Sequence, residues 1–235
     1  MLEAQNIPLA TGDSHDPPVS FASAHTRAMV AIGFLALSMV VSLLTISIVR
    51  DYFFIGFPPV VLGGSFLAAL VGAGCVISFL VWFSRSYRNL RALGAEGLEY
   101  SPGVAIGWWF VPVVNCWKPF RVAVEIWRGS DPMAMKNDLA SRAGMPTPAL
   151  LAIWWMGWLT ALVLDNLVAA PDRLMYQGEV VTLPMIVAAG FDILAVALAM
   201  AVILEIDRRQ NMRHASITAM SERDGQPPTT TNIGQ

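Results

Sequence analysis

Asp192 is the side chain whose type and position most strongly indicate chemistry in this sequence. It lies ten residues into an apolar run, or about 15 Å along a helix at 1.5 Å per residue. A carboxylate near the centre of a bilayer costs about 2.5–3.5 kcal/mol and therefore usually faces a partner or water. We expect either a proton or cation site at Asp192, or a neutral carboxyl that joins two helices through groups such as Ser42 or Thr160.

Other reactive groups form no recognisable catalytic arrangement. All three histidines fall in polar stretches near the two ends of the chain: His15, His25 and His214. Two cysteines, Cys75 and Cys116, do not support a disulfide framework, and they are too far apart in sequence for a zinc motif. No nucleotide-binding, hydrolase or metalloprotease motif is present. Asp165 lies near the outer end of the third span, where Arg173 could reach it; we expect it to be mostly a structural cap, at a different depth from Asp192 by helical rise. We therefore expect a non-enzymatic protein with no metal and no cofactor.

The composition indicates the kind of scaffold that positions these residues. Of the 235 residues, 55% are hydrophobic and 14% are charged, whereas a soluble domain has about 25% charged residues. The net charge of −2 offers no basic field for nucleic acid. This balance predicts an all-α, polytopic membrane protein.

Four apolar stretches are long enough to cross a bilayer, which takes about 20 helical residues. The predicted spans are residues 28–49, 57–83, 148–170 and 182–204. They form one membrane domain, residues 27–210, between polar tails at 1–26 and 211–235 that we predict to be disordered. Four spans place both tails on the same side of the membrane.

The distribution of basic residues predicts which side that is. Thirteen of the 15 Lys and Arg residues fall on the side of the tails, while Arg50 and Arg173 fall on the other. Because basic residues favour the cytoplasmic side, we expect cytoplasmic termini and a location in the inner membrane of a bacterium.

A tryptophan-rich insertion separates the second and third spans at residues 101–129. Its first part is too short to cross a bilayer, so we expect a re-entrant or interfacial segment followed by an amphipathic helix. Its candidate headgroup residues are aromatic or basic: Trp108, Trp109, Trp117, Lys118, Arg121, Trp127 and Arg128. They either anchor the chain at a fixed depth or bind anionic lipid or another ligand. Asn115 lies among apolar neighbours and needs a polar partner.

Small residues recur every four positions in the second span. Gly64, Ala68 and Gly72 would lie on one face of a helix, and such spacing lets a second helix approach closely in lipid. The pattern predicts a helix contact within the chain, in self-association or with another membrane protein. The alternative is that small residues are simply common in this span.

The central insertion carries a family resemblance. Its core reads Gly-Trp-Trp-Phe-Val-Pro-Val-Val-Asn-Cys-Trp-Lys-Pro at residues 107–119, and Glu-Ile-Trp-Arg follows at 125–128. This pattern resembles a bacterial membrane family described as domain of unknown function 4328, and the likeness covers about residues 30 to 210. The matching positions are Gly107, Trp109, Pro112, Asn115, Trp117, Pro119 and Trp127. Cys116 stands where that family usually has leucine. The resemblance implies an integral membrane protein of undetermined activity and no catalytic residues.

Two functions remain open from the sequence. The first is a membrane scaffold, sensor or lipid-interacting module, whose partners are the bilayer, anionic lipids, other membrane proteins or a second copy of the chain. The second is a small transporter or channel-like carrier that uses Asp192. A carrier needs an aqueous path to Asp192, whereas a scaffold needs an exposed apolar or small-residue face.

Overall fold

The computed structural model describes residues 21–52, 59–133, 147–168 and 182–225, without the side chains of 45–52, 59–62, 182–183 and 224. Most of the two tails predicted to be disordered, residues 1–20 and 226–235, lies outside the described residues. So do three of the basic residues that we used to orient the chain: Lys136, Arg142 and Arg173.

Four long helices form the body of the protein. They are α1 (His25–Tyr52), α2 (Pro59–Ala92), α5 (Ala149–Val168) and α6 (Thr182–Asp224). Each contains a stretch that is long and apolar enough to cross a membrane, and the described residues contain no strand. The outer faces of these helices expose large apolar side chains such as Phe66, Ile77 and Val163, as lipid contact allows. The prediction of an all-helical protein with four candidate spans is confirmed.

Two pairs of long helices, α1 with α2 and α5 with α6, run antiparallel and pack through close contacts. The ring of Phe34 on α1 occupies the space where a Cβ at Gly74 of α2 would lie, so this crossing requires glycine. A Cβ at Gly157 of α5 would lie 3.7 Å from Leu198 of α6. Because membrane helices associate mainly through such packing, these contacts fix the offset between the neighbours.

The insertion folds into two short helices and two tight turns. Helix α3 (Pro102–Gly107) begins at Ser101, whose hydroxyl accepts the Val104 N–H, and it is followed by 3₁₀ turns at Trp108–Phe110 and Val114–Cys116. Helix α4 (Lys118–Gly129) completes the insertion and buries residues such as Val122 and Ile126. The insertion packs on α2 and α5 at one end of the bundle. We call this the insertion end.

Helix α6 continues well past the predicted start of the C-terminal tail at residue 211. It reaches Asp224, so the prediction of disorder is wrong for residues 211–224. The reason is that polar residues near the predicted end are buried and paired. The Gln210 side chain donates to the Ser86 carbonyl and to Ser130 Oγ and accepts from Asn89 Nδ2, at 2.9, 3.2 and 3.1 Å.

The end of the predicted N-terminal tail is also ordered and packed. Ala24 is buried, and α1 begins at His25 rather than at residue 28. The Nδ1 atom of His25 lies 2.8 Å from Oδ2 of Asp207 on α6, and the rings of Phe21 and His214 are stacked at 4.1 Å. The two histidines therefore tie the N-terminal segment to α6.

We predict that Gln210→Met destabilises the protein, because it removes three hydrogen bonds and leaves buried polar groups unpaired at about 1–3 kcal/mol each. The measurement is thermal unfolding in detergent, where the melting temperature should fall by several degrees. The matched control is Glu222→Met, an exposed residue on the same helix, which should leave the melting temperature unchanged. Equal melting temperatures for the two variants would mean that this part of α6 is not packed.

Candidate functional site

A cavity of about 470 Å³ lies between the four long helices. All four contribute to its wall, and the insertion contributes Trp109, Phe110 and Asn115. Most lining residues are apolar, and the polar ones are few: Ser38, Cys75, Asn115, Asp165 and Asp192. Small-molecule sites in proteins have this character, with a mostly apolar wall of about 300–1,000 Å³ and few polar groups.

Asp165 and Asp192 both line this cavity, which corrects the prediction that they lie at different depths. Gly157 of α5 lies beside Leu198 of α6, so the two residues mark one level in the bundle. Asp165 follows Gly157 by eight residues, and Asp192 precedes Leu198 by six. Because the two helices run antiparallel, both carboxylates lie on the same side of that level. At 1.5 Å per residue, their depths differ by only about 3 Å. The prediction measured each carboxylate from its own helix end, and those ends are not level. We call the part of the cavity at these residues the acidic end.

The hydroxyl partners predicted for Asp192 lie elsewhere. Neither Ser42 nor Thr160 lines the cavity, and the Thr160 hydroxyl donates to the Met156 carbonyl at 2.8 Å. Ser38 and Cys75 do line it, but they donate to main-chain carbonyls of α1. Within the described ranges, the cavity wall includes no Lys, Arg or His. In the same part of the chain, no hydrogen-bond donor reaches either carboxylate, although both residues line the cavity.

An aromatic cluster closes the other end of the cavity. The Trp109 ring makes edge-to-face contacts with Phe79 and Trp158, at centroid distances of 5.2 and 6.0 Å. The indole N–H of Trp109 and the Oδ1 atom of Asn115 are buried without a hydrogen-bond partner among the described residues. Trp109 is therefore a packed wall residue, and Asn115 lines the same cavity as Asp192, while its predicted polar partner is not found among the described residues. We call this part the aromatic end.

The other predicted headgroup residues lie outside the cavity wall. The Lys118 ammonium donates to the Tyr100 hydroxyl at 3.2 Å and lies over the Trp108 ring at 5.5 Å. Trp127 packs under the Arg209 guanidinium at 4.3 Å. The remaining three are partly or fully open to the surroundings: Trp117, Arg121 and Arg128.

The small-residue stripe of α2 does not form the predicted close contact within the described chain. A Cβ added at Gly64 or Gly72 would meet no atom within 4 Å, and Gly72 instead lines the cavity. The glycine pressed against a neighbour is Gly74, two residues beyond the predicted stripe. Within the described chain, the close-packed face of α2 is therefore a different one, and a contact of the stripe with a second copy or another membrane protein stays a prediction.

Sequence reasoning missed a carboxylate network in the insertion. Glu125 of α4 accepts the Glu99 N–H at 2.7 Å, and its other oxygen lies 3.2 Å from the Tyr87 hydroxyl. That hydroxyl also donates to the Tyr100 carbonyl at 2.7 Å. Burial raises the pKa of Glu125 and outweighs the two hydrogen bonds, which act in the opposite direction. The signal in the sequence was an acidic residue two positions before Trp127 in an amphipathic helix.

Comparison with known proteins identifies a family whose sequence model covers most of the chain. The sequence model of the family described as Domain of unknown function (DUF4328) matches residues 59–208. The matched region contains α2, the insertion, α5 and the cavity-lining part of α6, including both carboxylates. This match confirms the resemblance seen in the insertion. No curated protein and no solved structure matches the chain.

We predict that the stability of the protein falls as the pH rises from acid because of Glu125. In the unfolded chain a glutamate ionises near pH 4.3, and burial raises the pKa of Glu125 above that value in the fold. Its contribution is therefore complete below the unfolded pKa and is lost as the pH rises through the folded pKa. Glu125→Gln cannot ionise and should melt higher than wild type at neutral pH, with a flatter profile of melting temperature against pH.

The control for this profile is Glu96→Gln, which removes a carboxylate from an exposed position on the same end of the molecule. It should retain the wild-type dependence on pH. If Glu125→Gln and Glu96→Gln gave the same profile, Glu125 would not be the titrating group.

Proposed function

Because the chain belongs to the family Domain of unknown function (DUF4328), whose name assigns no activity, we propose a function from its own geometry. The protein is a non-enzymatic, multi-pass membrane protein that holds a small molecule in the cavity between its four long helices, as a sensor or a carrier. The observation that carries this proposal is the cavity wall, which places Asp165 and Asp192 at the acidic end and Asn115 at the aromatic end.

The state of the carboxylates favours a binding site over a structural role. A neutral carboxyl that joins two helices needs a hydrogen-bond partner, and Asp192 has none in the described chain. An unpaired carboxylate near the bilayer centre costs about 2.5–3.5 kcal/mol, so Asp192 at that depth is best explained by contact with water or a ligand. The lone cavity thiol, Cys75, donates to the Phe34 carbonyl, which fits a binding role without a covalent step.

A scaffold role has weaker support. The small-residue face that would have served as its docking surface includes Gly72, which lines the cavity. Lipid contact by the insertion has a specific observation in its favour. Phe110, Val113 and Trp117 are exposed by 67%, 72% and 46%, and they lie within eight residues of each other. We propose that this turn inserts into the membrane interface, with exposed Arg121 beside it to meet anionic headgroups.

The orientation follows from the same surface and from the basic residues of the sequence. We propose that the insertion end faces the cytoplasm of a bacterial cell and that the protein lies in the inner membrane. The four-span topology predicted from the sequence assigns thirteen of the 15 Lys and Arg residues to that side, as the positive-inside rule favours.

We predict that native mass spectrometry of gently extracted wild-type protein detects a bound small molecule or lipid that Asp192→Asn loses. Replacing the carboxylate removes the charged contact but leaves the shape of the wall almost unchanged. The control variant is Glu96→Gln, which removes one exposed carboxylate outside the cavity and should retain the bound molecule. Bare protein from wild type, or the same bound mass in wild type and Asp192→Asn, would contradict the proposed site.

We predict a different labelling pattern for two exposed positions at the insertion end. Single cysteines at Met133 and at Val113, which are 86% and 72% exposed, are placed in a variant with Cys75 and Cys116 replaced by serine. A membrane-impermeant maleimide should label neither in intact cells. Once the cells are opened, it should label Met133→Cys at once and Val113→Cys only after detergent is added, because lipid covers the turn. Labelling of Met133→Cys in intact cells would contradict the proposed orientation, because it would place the insertion end outside the cytoplasm.

A further inference from the structure

We propose that the ligand of the cavity is an amphiphilic organic cation. Its ammonium group lies at the acidic end, beside Asp165 and Asp192, and its apolar or aromatic body extends to the aromatic end at Trp109. The inference rests on the proposed binding function and adds the chemical class of the ligand.

The charge of the wall selects a cation. Asp165 and Asp192 line the same volume, and no Lys, Arg or His of the described residues lines it. A bound ammonium would neutralise carboxylates that nothing else in the described wall neutralises. An anionic ligand would meet repulsion at this end. A sugar would find few of the hydrogen-bond donors and acceptors that its hydroxyls require.

The length and lining of the cavity select an amphiphile. Along α5 the wall runs from Trp154 to Asp165, a span of eleven residues or about 16 Å. Beyond the carboxylates the α5 and α6 walls are formed by apolar residues such as Ala161, Leu162 and Val196. A small amine would fill only the acidic end, whereas a body attached to it would cover the apolar wall.

The aromatic end suits the far end of such a body. The rings of Phe79, Trp109 and Trp158 lie at right angles or tilted to one another and present several large apolar surfaces to the cavity. A bare metal ion is a poorer match, because the described residues contain no group of three His, Cys, Asp or Glu side chains that could hold one. The acidic end supplies only two carboxylates.

Two sources share this chemistry in a membrane. One is a free lipophilic amine, and the other is a lipid whose headgroup carries an ammonium. Both place a positive nitrogen at one end and hydrocarbon at the other, so the cavity would recognise them in the same way.

The test compares two ligands of the same shape on the full chain in detergent. One is (4-phenylbutyl)trimethylammonium, and the other is (5,5-dimethylhexyl)benzene, in which carbon replaces the charged nitrogen. Binding is measured by quenching of tryptophan fluorescence and by native mass spectrometry. We expect the cation to bind at least tenfold more tightly than the neutral compound. Asp192→Asn and Asp165→Asn should each weaken the cation at least tenfold without affecting the neutral compound.

The controls separate charge from folding. Glu96→Gln removes an exposed carboxylate and should bind the cation like wild type. If Asp192→Asn fails to elute as a single species, Asp165→Asn and the ligand pair on wild type still decide the question. Competition with an ethanolamine-headed lipid and with a glycerol-headed anionic lipid identifies the source. Displacement by the first alone indicates a lipid headgroup, and displacement by neither indicates a free amine.

The outcomes distinguish this inference from the function on which it rests. Equal binding of the cation and the neutral compound would overturn the cationic ligand but leave a binding cavity in place. Unchanged cation affinity in both aspartate variants would also overturn the cationic ligand and leave the binding cavity in place. If neither compound bound, and Asp192→Asn lost no native ligand, the proposed function would fail as well.

Discussion

The cavity depends on the packing of Trp109 between two membrane helices. Its ring contacts Phe79 and Phe83 of α2 at centroid distances of 5.2 and 5.7 Å, and Trp155 and Trp158 of α5 at 5.9 and 6.0 Å. A side chain of this size holds α2 and α5 apart at the insertion end, because close-packed rings cannot be compressed. The volume beside this wedge is the cavity. The insertion is therefore part of the wall rather than an appendage.

The amides of Gln210 and Asn89 and the carboxylates of the acidic end differ in their hydrogen bonding. At the insertion end, Gln210 and Asn89 bond to each other and to neighbouring main-chain groups, and paired groups of this kind rigidify a structure. At the acidic end, Asp165 and Asp192 line the cavity with no described partner. The Gln210 hydrogen bonds thus stabilise the bundle near the insertion end, whereas the carboxylates with no described partner are available for binding.

The sequence predicted features that depend on one helix at a time and missed those that depend on the offset between helices. Apolar length alone defines a span in lipid, so the four helices were predictable, and the depth of Asp192 within its own span identified it. The approach of Asp165 to Asp192 depends on the register of α5 against α6, which only the Gly157 contact with Leu198 reveals. For the same reason Gly74, and not Gly64, is the close-packed glycine.

The position of Asn115 depends on a strained reversal of the chain. Val113 has φ of 67°, a value that β-branched residues avoid, and the Val114 N–H closes a three-residue turn onto the Pro112 carbonyl at 2.7 Å. The turn leaves Val113 on the outside with 72% exposure and brings Asn115 back to the cavity wall two residues later. A wider turn would move Asn115 away from the wall. Strain of about 1–3 kcal/mol persists only where the surrounding structure enforces it. Here the surroundings do so on the C-terminal side of the turn, where the Trp155 indole N–H donates to the Cys116 carbonyl at 2.9 Å.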